Sequence, residues 1–499
     1  MRTALRALLA LVAGLLMPLG FAPWSQPWAP VVGLALILGL VGAPQVPRRR
    51  VVGLGYLFGL GYTGFGVYWI YHSIAHYGGG PLAAGLAISV LIGLFALIPL
   101  AALLIGHWAA ERHPVAGLLV LFPAAWILIE WVRSWLLTGA TWLSLGYTQV
   151  DTPLAWFAPV LGVYGVSAAV AALAGALAWW GLRPLSARAL IPLGLALGLV
   201  AGGLLLERDW SRPAGAPVEV AMIQGNIEQS RKWDPAERGE ILSEYIALTR
   251  EAFGSDLIIW PETAVPAVYH QAADWLETLA RQADAAGSEL VVGTPAADPA
   301  GEGLFNAVAV PGATPQFYYK RHLVPFGEYV PFRDLAGGIL DFVGTPLGDF
   351  NAGVSAAPLT AAGRALGVSI CYEVTFGSEI ADALPAAEIL LNVSNDAWFG
   401  NTPAPWQHLQ MARLRAIEMA RPLVRATNTG VSALIGPDGR LQRTGPLFER
   451  TIIRGEVIPR VGTTPYMRWR DWPMAILAGG LVLGGALLGR RRYRLFRDV

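Results

Sequence analysis

The sequence predicts a multi-pass α-helical membrane protein, with about eight transmembrane helices, that carries an inserted α/β domain. Three observations predict it. The chain has 499 residues, 54% of them hydrophobic and only 14% charged, and its mean hydropathy is +0.48, values that fit a soluble protein poorly. Eight apolar runs approach the roughly 20 residues that a bilayer core demands. Between the seventh and the eighth, the texture changes to short β-branched runs alternating with helical patterns, the mark of an α/β domain.

The apolar runs are 5–21, 28–43, 51–74, 81–109, 115–137, 153–180, 189–206 and 472–489. The first could pass for a signal peptide, but no clear small-residue cleavage site follows it, so it reads as a retained helix. Basic residues test the count. Arg2 and Arg6, Arg48–Arg50, Arg112 with His113, Arg183 with Arg188, and Arg490–Arg492 with Arg494 and Arg497 all fall on one side if the spans alternate. The loops on the other side, 72–80 and 138–152, hold almost no Lys or Arg. The positive-inside rule then puts both termini in the cytoplasm and the segment between the last two spans in the periplasm. The nineteen tryptophans suit interfacial belts. Glu130 beside Arg133 in the fifth run reads as an intramembrane ion pair.

The expected division is 1–206 as a seven-helix transmembrane domain, 207–470 as the periplasmic catalytic domain, and 471–499 as a last helix with a basic cytoplasmic tail. Within the middle part, strands are expected at 218–223, 256–260, 289–293, 307–310, 366–370, 388–393, 423–426, 431–435 and 451–457, with helices at 237–252, 272–286 and 408–421. Residues 211–217 read as a linker. The Gly-rich apolar stretch 331–346 either folds onto the core or dips toward lipid as an arm, and Trp398-Phe399-Gly400 is a second such candidate.

A net charge of +1 gives no reason to expect nucleic acid, and one cysteine excludes an intramolecular disulfide. No HExxH or Cys/His ligand spacing, no GxSxG and no P-loop occurs, so neither metal nor cofactor is expected. The lone cysteine, Cys371, ends the apolar run Gly367-Val-Ser-Ile370. Most free cysteines are inert packing. Two other strand ends change that reading. Glu262 closes the run 256–260, and Lys320 precedes a second carboxylate, Glu328. A base, an oxyanion stabiliser and a nucleophile are what thiol acyl transfer requires.

The strings around these residues are AMIQGNIEQSRKWDP (221–235), WPET, YYKRHLVPFGEYVP, CYE and NVSNDAWFG (392–400). They resemble those of the bacterial apolipoprotein N-acyltransferases, a membrane branch of the nitrilase (carbon-nitrogen hydrolase) superfamily. The resemblance covers nearly the whole chain. It implies a nitrilase-like αββα sandwich in which Glu262, Lys320 and Cys371 are catalytic, with Glu328, Tyr372 and Glu373 in support. Trp233, Asn395, Trp398, Phe326 and Phe342 become candidates for the substrate-binding wall, and His322 is left without proton-transfer duty.

A site outside the cytoplasmic membrane lacks ATP and acyl-CoA, so the acyl donor has to come from the bilayer. The resemblance supplies the rest: an acyl chain, the sn-1 chain of phosphatidylethanolamine, passes through a Cys371 thioester. The acceptor is the α-amino group of the S-diacylglyceryl cysteine of an apolipoprotein. Two other functions stay open at this level. A membrane-anchored amidase would use water as acceptor, and a transporter with a non-catalytic α/β domain would survive loss of Cys371.

Overall fold

A computed structural model describes residues 2–42, 45–77, 79–112, 116–182, 190–299, 301, 303–329 and 350–495. The chain forms two compact units. One comprises Met1–Tyr71, Gly85–Arg208 and Arg468–Val499; the other comprises His72–Ala84 and Asp209–Met467.

Among the described residues all eight apolar runs are helical, and they lie in the first unit apart from the part within His72–Ala84. The helices are Arg2–Leu16, Trp28–Val41, Arg48–Val67 with Trp69–Tyr77, Gly80–Phe95 with Leu97–Arg112, a π turn leading into Phe122–Arg133, Ala158–Leu182, Leu190–Leu206 and Trp472–Leu495. By length and apolarity Thr3–Gly20, Gly80–Trp108 and Pro153–Gly181 can cross a membrane, and the pair Arg48–Val67 and Trp69–Tyr77 makes a fourth, bent by 54°. Trp28–Val41, Leu190–Leu206 and Trp472–Leu487 are apolar but shorter. Small residues allow close approach between helices, as in other membrane bundles. A Cβ on Gly14 would stand 2.1 Å from the carbonyl oxygen of Phe58, and one on Gly61 would stand 2.6 Å from that of Leu11.

Glu130 and Arg133 do not pair with each other as expected. Glu130 accepts from Trp126 Nε1 and from the Leu145 amide, both at 2.9 Å. Arg133 donates to the Trp142 carbonyl and, at 3.0 Å, to Ser144 Oγ. Both side chains reach the loop 142–145, whose backbone groups need partners in an apolar surround.

The second unit is a four-layer sandwich of two six-stranded sheets between helices. The first sheet has the order β13-β2-β3-β4-β5-β6: β2 is Val218–Gln224, β3 Leu257–Ile259, β4 Glu289–Ala297, β5 Leu304–Val310, β6 Gln316–Tyr319 and β13 Thr451–Val457. The second has the order β12-β11-β10-β9-β8-β7: β7 is Leu359–Ala361, β8 Arg364–Ile370, β9 Ile389–Ser394, β10 Leu423–Thr427, β11 Ala433–Ile435 and β12 Leu441–Thr444. Strands β2, β3 and β4 run parallel, as do β8, β9 and β10.

The two-residue period of a strand explains the layers. Val220 and Met222 of β2 face inward, into one core shared with Ile370, Leu391 and Val424 of the other sheet. Ala221 and Ile223 face outward, onto Tyr245 of helix Arg238–Glu251 and Leu276 of helix Tyr269–Ala285. On the far side Leu390 and Leu423 pack on Leu409 and Ala416 of helix Ala404–Met419.

The linker expected at 211–217 is in part a strand. β1 (Ser211–Pro213) pairs antiparallel with β14 (Arg460–Gly462). It has one neighbour only, so Pro213 removes no ladder bond that the sheet needs. The stretch 331–346, with Phe342, lies outside the described residues.

Candidate active site

The site is assembled at the carboxyl ends of strands from both sheets, the usual place for ligands in parallel sheets. Glu262 follows β3, Lys320 follows β6, Cys371 follows β8, and Asn395 with Asp396 follows β9. Three non-glycine residues here have left-handed backbones: Thr263 (φ 46°), Phe326 (φ 61°) and Cys371 (φ 52°). Such conformations cost on the order of 1–3 kcal/mol each and gather at functional sites. At Cys371 the turn swings the chain sharply out of the β8 ladder at the thiol.

Lys320 is 1% exposed and stands between two carboxylates. Its Nζ lies 2.9 Å from Glu328 and 3.6 Å from Glu262 Oε1. Burial alone would push this ammonium down. The charges of Glu328 and Glu262 together outweigh burial and hold it above an ordinary lysine, so it stays charged. The Asn306 side chain bridges the two acids, donating to Glu262 Oε1 at 2.7 Å and Glu328 Oε1 at 2.9 Å. Glu262 Oε2 accepts from the Asn395 amide at 2.7 Å, and Glu328 Oε2 from the Val324 amide at 2.8 Å. Both carboxylates are thereby fixed in direction.

Burial pushes the Cys371 thiol up, and Glu262's charge adds to this, while Lys320 pulls the other way. The thiol therefore rests protonated at neutral pH and needs a base at the moment of attack.

Glu373 staples the turn that carries the thiol. Its carboxylate accepts from the Ile370 amide (2.6 Å), the Arg321 amide (2.6 Å), the His322 amide (3.1 Å) and Tyr318 Oη (3.0 Å). It thus joins the end of β8 to the end of β6, which fixes Cys371 relative to Lys320. Burial raises its carboxyl, against the pull of Lys320 and the three amides.

A second buried network supports the same turn. His408 Nε2 lies 3.1 Å from the Cys371 carbonyl oxygen, and Nδ1 lies 2.9 Å from Arg425 Nη2. A carbonyl only accepts, so Nε2 carries a proton; Nδ1, which also lies 3.1 Å from Asp396 Oδ1, is in the neutral ring the acceptor for the guanidinium that binds Asp396 as well. Burial first, then Arg425, pushes the imidazole down, which keeps it neutral. Asp396 takes Arg425 at 2.8 Å and Ser394 Oγ at 2.8 Å, and the charge of Arg425, against the pull of burial, holds it below the usual carboxylate range. Cys371, Asp396 and His408 place donor atoms within 4.8 Å of one another. Neither ring nitrogen offers a lone pair to the thiol, however, and Arg425 already holds the other two side chains. The group is a support for the turn.

The expected wall residues divide. Asn395 is 3% exposed and fully engaged: its amide nitrogen donates to Gln229 at 2.8 Å, and its oxygen accepts from Asn428 at 3.1 Å. It positions Glu262 and does not line an open wall. Trp233 and Phe326 are exposed, at 36% and 58%. Tyr372 meets Phe376 edge-on with ring centroids 5.0 Å apart. Trp398 meets Tyr77 in the same way, also at 5.0 Å, and its carbonyl accepts from Ser73 Oγ at 2.7 Å. His322 stacks on Phe376 (3.7 Å) and bonds Glu379, away from the thiol chemistry.

Sequence reasoning missed Lys232, Asn306, His408 and Arg425. Lys232 and Asp396 did lie inside strings already singled out. Arg425 and His408 had only one hint, a charged and a polar residue inside otherwise apolar patterns.

Two family models match the chain: residues 13–176 match the Apolipoprotein N-acyltransferase N-terminal domain, and residues 219–466 match Carbon-nitrogen hydrolase. Among similar proteins, the apolipoprotein N-acyltransferase of Methylococcus capsulatus is 43% identical, over 97% of this chain and 96% of its own length. Those of Pseudomonas syringae pv. tomato and Azotobacter vinelandii are each 42% identical. They cover 97% and 98% of this chain, and 97% and 96% of their own lengths.

Proposed function

The chain belongs to the apolipoprotein N-acyltransferase family, and from that premise we propose how its site carries out the transfer. It is an inner-membrane enzyme that N-acylates lipoproteins, with a lipid as its other substrate. In our reading the lipid is a phospholipid, phosphatidylethanolamine by the resemblance, and the reaction runs through a thioester on Cys371 in two steps.

In the first step Glu262 takes the thiol proton as sulfur attacks the ester carbonyl. The S–C bond forms and the ester C–O bond breaks. Glu262 returns the proton to the glycerol oxygen, and a lysophospholipid leaves. In the second step the α-amino nitrogen of the S-diacylglyceryl cysteine attacks the thioester. Glu262 takes a proton from nitrogen and gives it to the departing sulfur, which leaves an amide and the free thiol. Lys320 donates to the tetrahedral oxygen in both steps, and Glu328 keeps its ammonium aimed. Trp233, Trp398, Tyr372 and Phe326 are offered as contacts for the lipid portions. The arginine clusters support a periplasmic catalytic domain with cytoplasmic termini.

The observation that carries this reading is the buried set itself: a thiol on a left-handed turn, under the charges of the Lys320 ammonium and the Glu262 carboxylate, which are 3.6 Å apart. Intact-mass measurement of purified enzyme with phospholipid alone tests it. The mass should rise by one fatty acyl group, removable by hydroxylamine and mapping to Cys371. Free fatty acid without an adduct, and no amide product when lipoprotein is added, would point to the amidase instead.

A further inference from the structure

Lys232 has no part in the mechanism above, although it is 2% exposed and within reach of the site. It closes the short helix Gln229–Lys232, and its Nζ donates to the main-chain oxygen of Glu262 at 3.1 Å. Among the described residues that is its side chain's one hydrogen bond, and no carboxylate lies within ion-pair distance of it. A buried ammonium without an ion-pair partner is costly, and such groups persist where they serve a function. Two of its three N–H donors are unused among the described residues.

The charge count around the thiol shows what those donors are for. Asp396 beside the thiol is balanced by Arg425 at 2.8 Å, whereas Glu262 and Glu328 bring two negative charges to the single positive charge of Lys320, which is tied to Glu328. Lys232 brings the four groups to neutrality. The titratable groups that act on it are Glu262 and Cys371, the two between which the proton moves. We infer that Lys232 is a second working lysine of this site, which stabilises the thiolate of Cys371 as it forms and anchors the peptide that carries the base. The inference rests on Cys371 being the nucleophile.

Burial lowers the Lys232 ammonium to about 8, with Glu262 and Cys371 resisting the fall. Its help to the thiolate is therefore complete at neutral pH and fades as the pH rises through 8. An arginine at this position would keep its charge throughout.

Because Cys371 is the chain's one cysteine, its alkylation by iodoacetamide reports on this thiol alone. The rate is measured against pH in detergent for the wild type, Lys232→Met and Lys232→Arg, beside acylation by phospholipid. Lys232→Met should alkylate and acylate about tenfold more slowly between pH 6 and 8, the size of a one-unit rise in thiol pKa. Its melting temperature should stay at or above that of the wild type, since an unpaired ammonium has been replaced by an apolar chain of similar length. Lys232→Arg should keep both rates to within about threefold and gain on the wild type above pH 8. Wild-type alkylation and acylation profiles in Lys232→Met would overturn the inference, as would slower rates in both variants with a shared drop in melting temperature. A wild-type enzyme that gains no acyl mass on Cys371 would instead remove the nucleophile reading, whatever the variants do.

Discussion

Lys320 sits between two acids that fix where its proton points, so charge alone should not replace it. Lys320→Arg is expected to slow acyl transfer by ~10²–10³, the usual effect of losing one oxyanion donor; near-normal turnover would show that any cation serves. Glu262→Gln should form no acyl adduct, since nothing remains to take the thiol proton. Lys232 makes a stability prediction with a definite sign. Its folded pKa lies below its unfolded one, so between about 8 and 10.5 the unfolded chain binds more protons and stability rises with pH. The melting-temperature advantage of Lys232→Met over the wild type should accordingly shrink across that window. Glu262, Lys320 and Cys371 were legible as candidates in the sequence because each ends or follows a short apolar run, and Glu328 because it lies in the same string as Lys320. Lys232 and His408 were not, because their meaning comes from main-chain oxygens of residues 30 and 37 positions away, which no local spacing encodes.

Two elements hold the site's edges. The first is the turn at Cys371, which Glu373 binds through four donors. Glu373→Gln places an amide N–H against some of those donors. It should destabilise the domain by about 2 kcal/mol, read as a lower denaturation midpoint, and slow acylation as well. A midpoint that does not move would mean the turn holds without its staple. The second is the segment His72–Ala84, which belongs to the catalytic unit although it lies far from it in sequence. Ser73 donates to the carbonyl of Trp398 at 2.7 Å and Tyr77 to that of Ala397 at 3.3 Å. Ser73→Ala with Tyr77→Phe should raise KM for the lipoprotein acceptor several-fold and leave acyl-enzyme formation from phospholipid nearly intact. An equal loss in both steps would show that Trp398 is simple packing. The long strands and helices of the domain were readable within a few residues from β-branched runs and helical periodicity. β1, β6, β7, β12 and β14 were not: they are three or four residues long, and none lies in a run of Ile, Leu and Val like those that marked the equally short β3 and β11.

At the scale of the molecule, the arginine clusters predict the sidedness. Reporter fusions after Arg188 and after Arg490 should give cytoplasmic signals, and one near Gly215 a periplasmic signal. A cytoplasmic signal at Gly215 would remove the argument for a bilayer donor. The apolar runs were legible as helices, but several stop short of a full span: Trp28–Val41, at about 1.5 Å per residue, is only some 21 Å long. One feature of the catalytic unit bears on its synthesis. β1 pairs with β14, and β2 with β13 along its full length, so that Val218 stands opposite Val457. The first strands made are completed by the last. At about 5–20 residues per second on the ribosome, β2 waits roughly 10–50 s for its partner, with a hydrogen-bonding edge open to any other chain nearby. A polypeptide that stalls or is clipped before β13 therefore cannot settle into a smaller version of the fold. It stays an open sheet, and the cell would have to remove it.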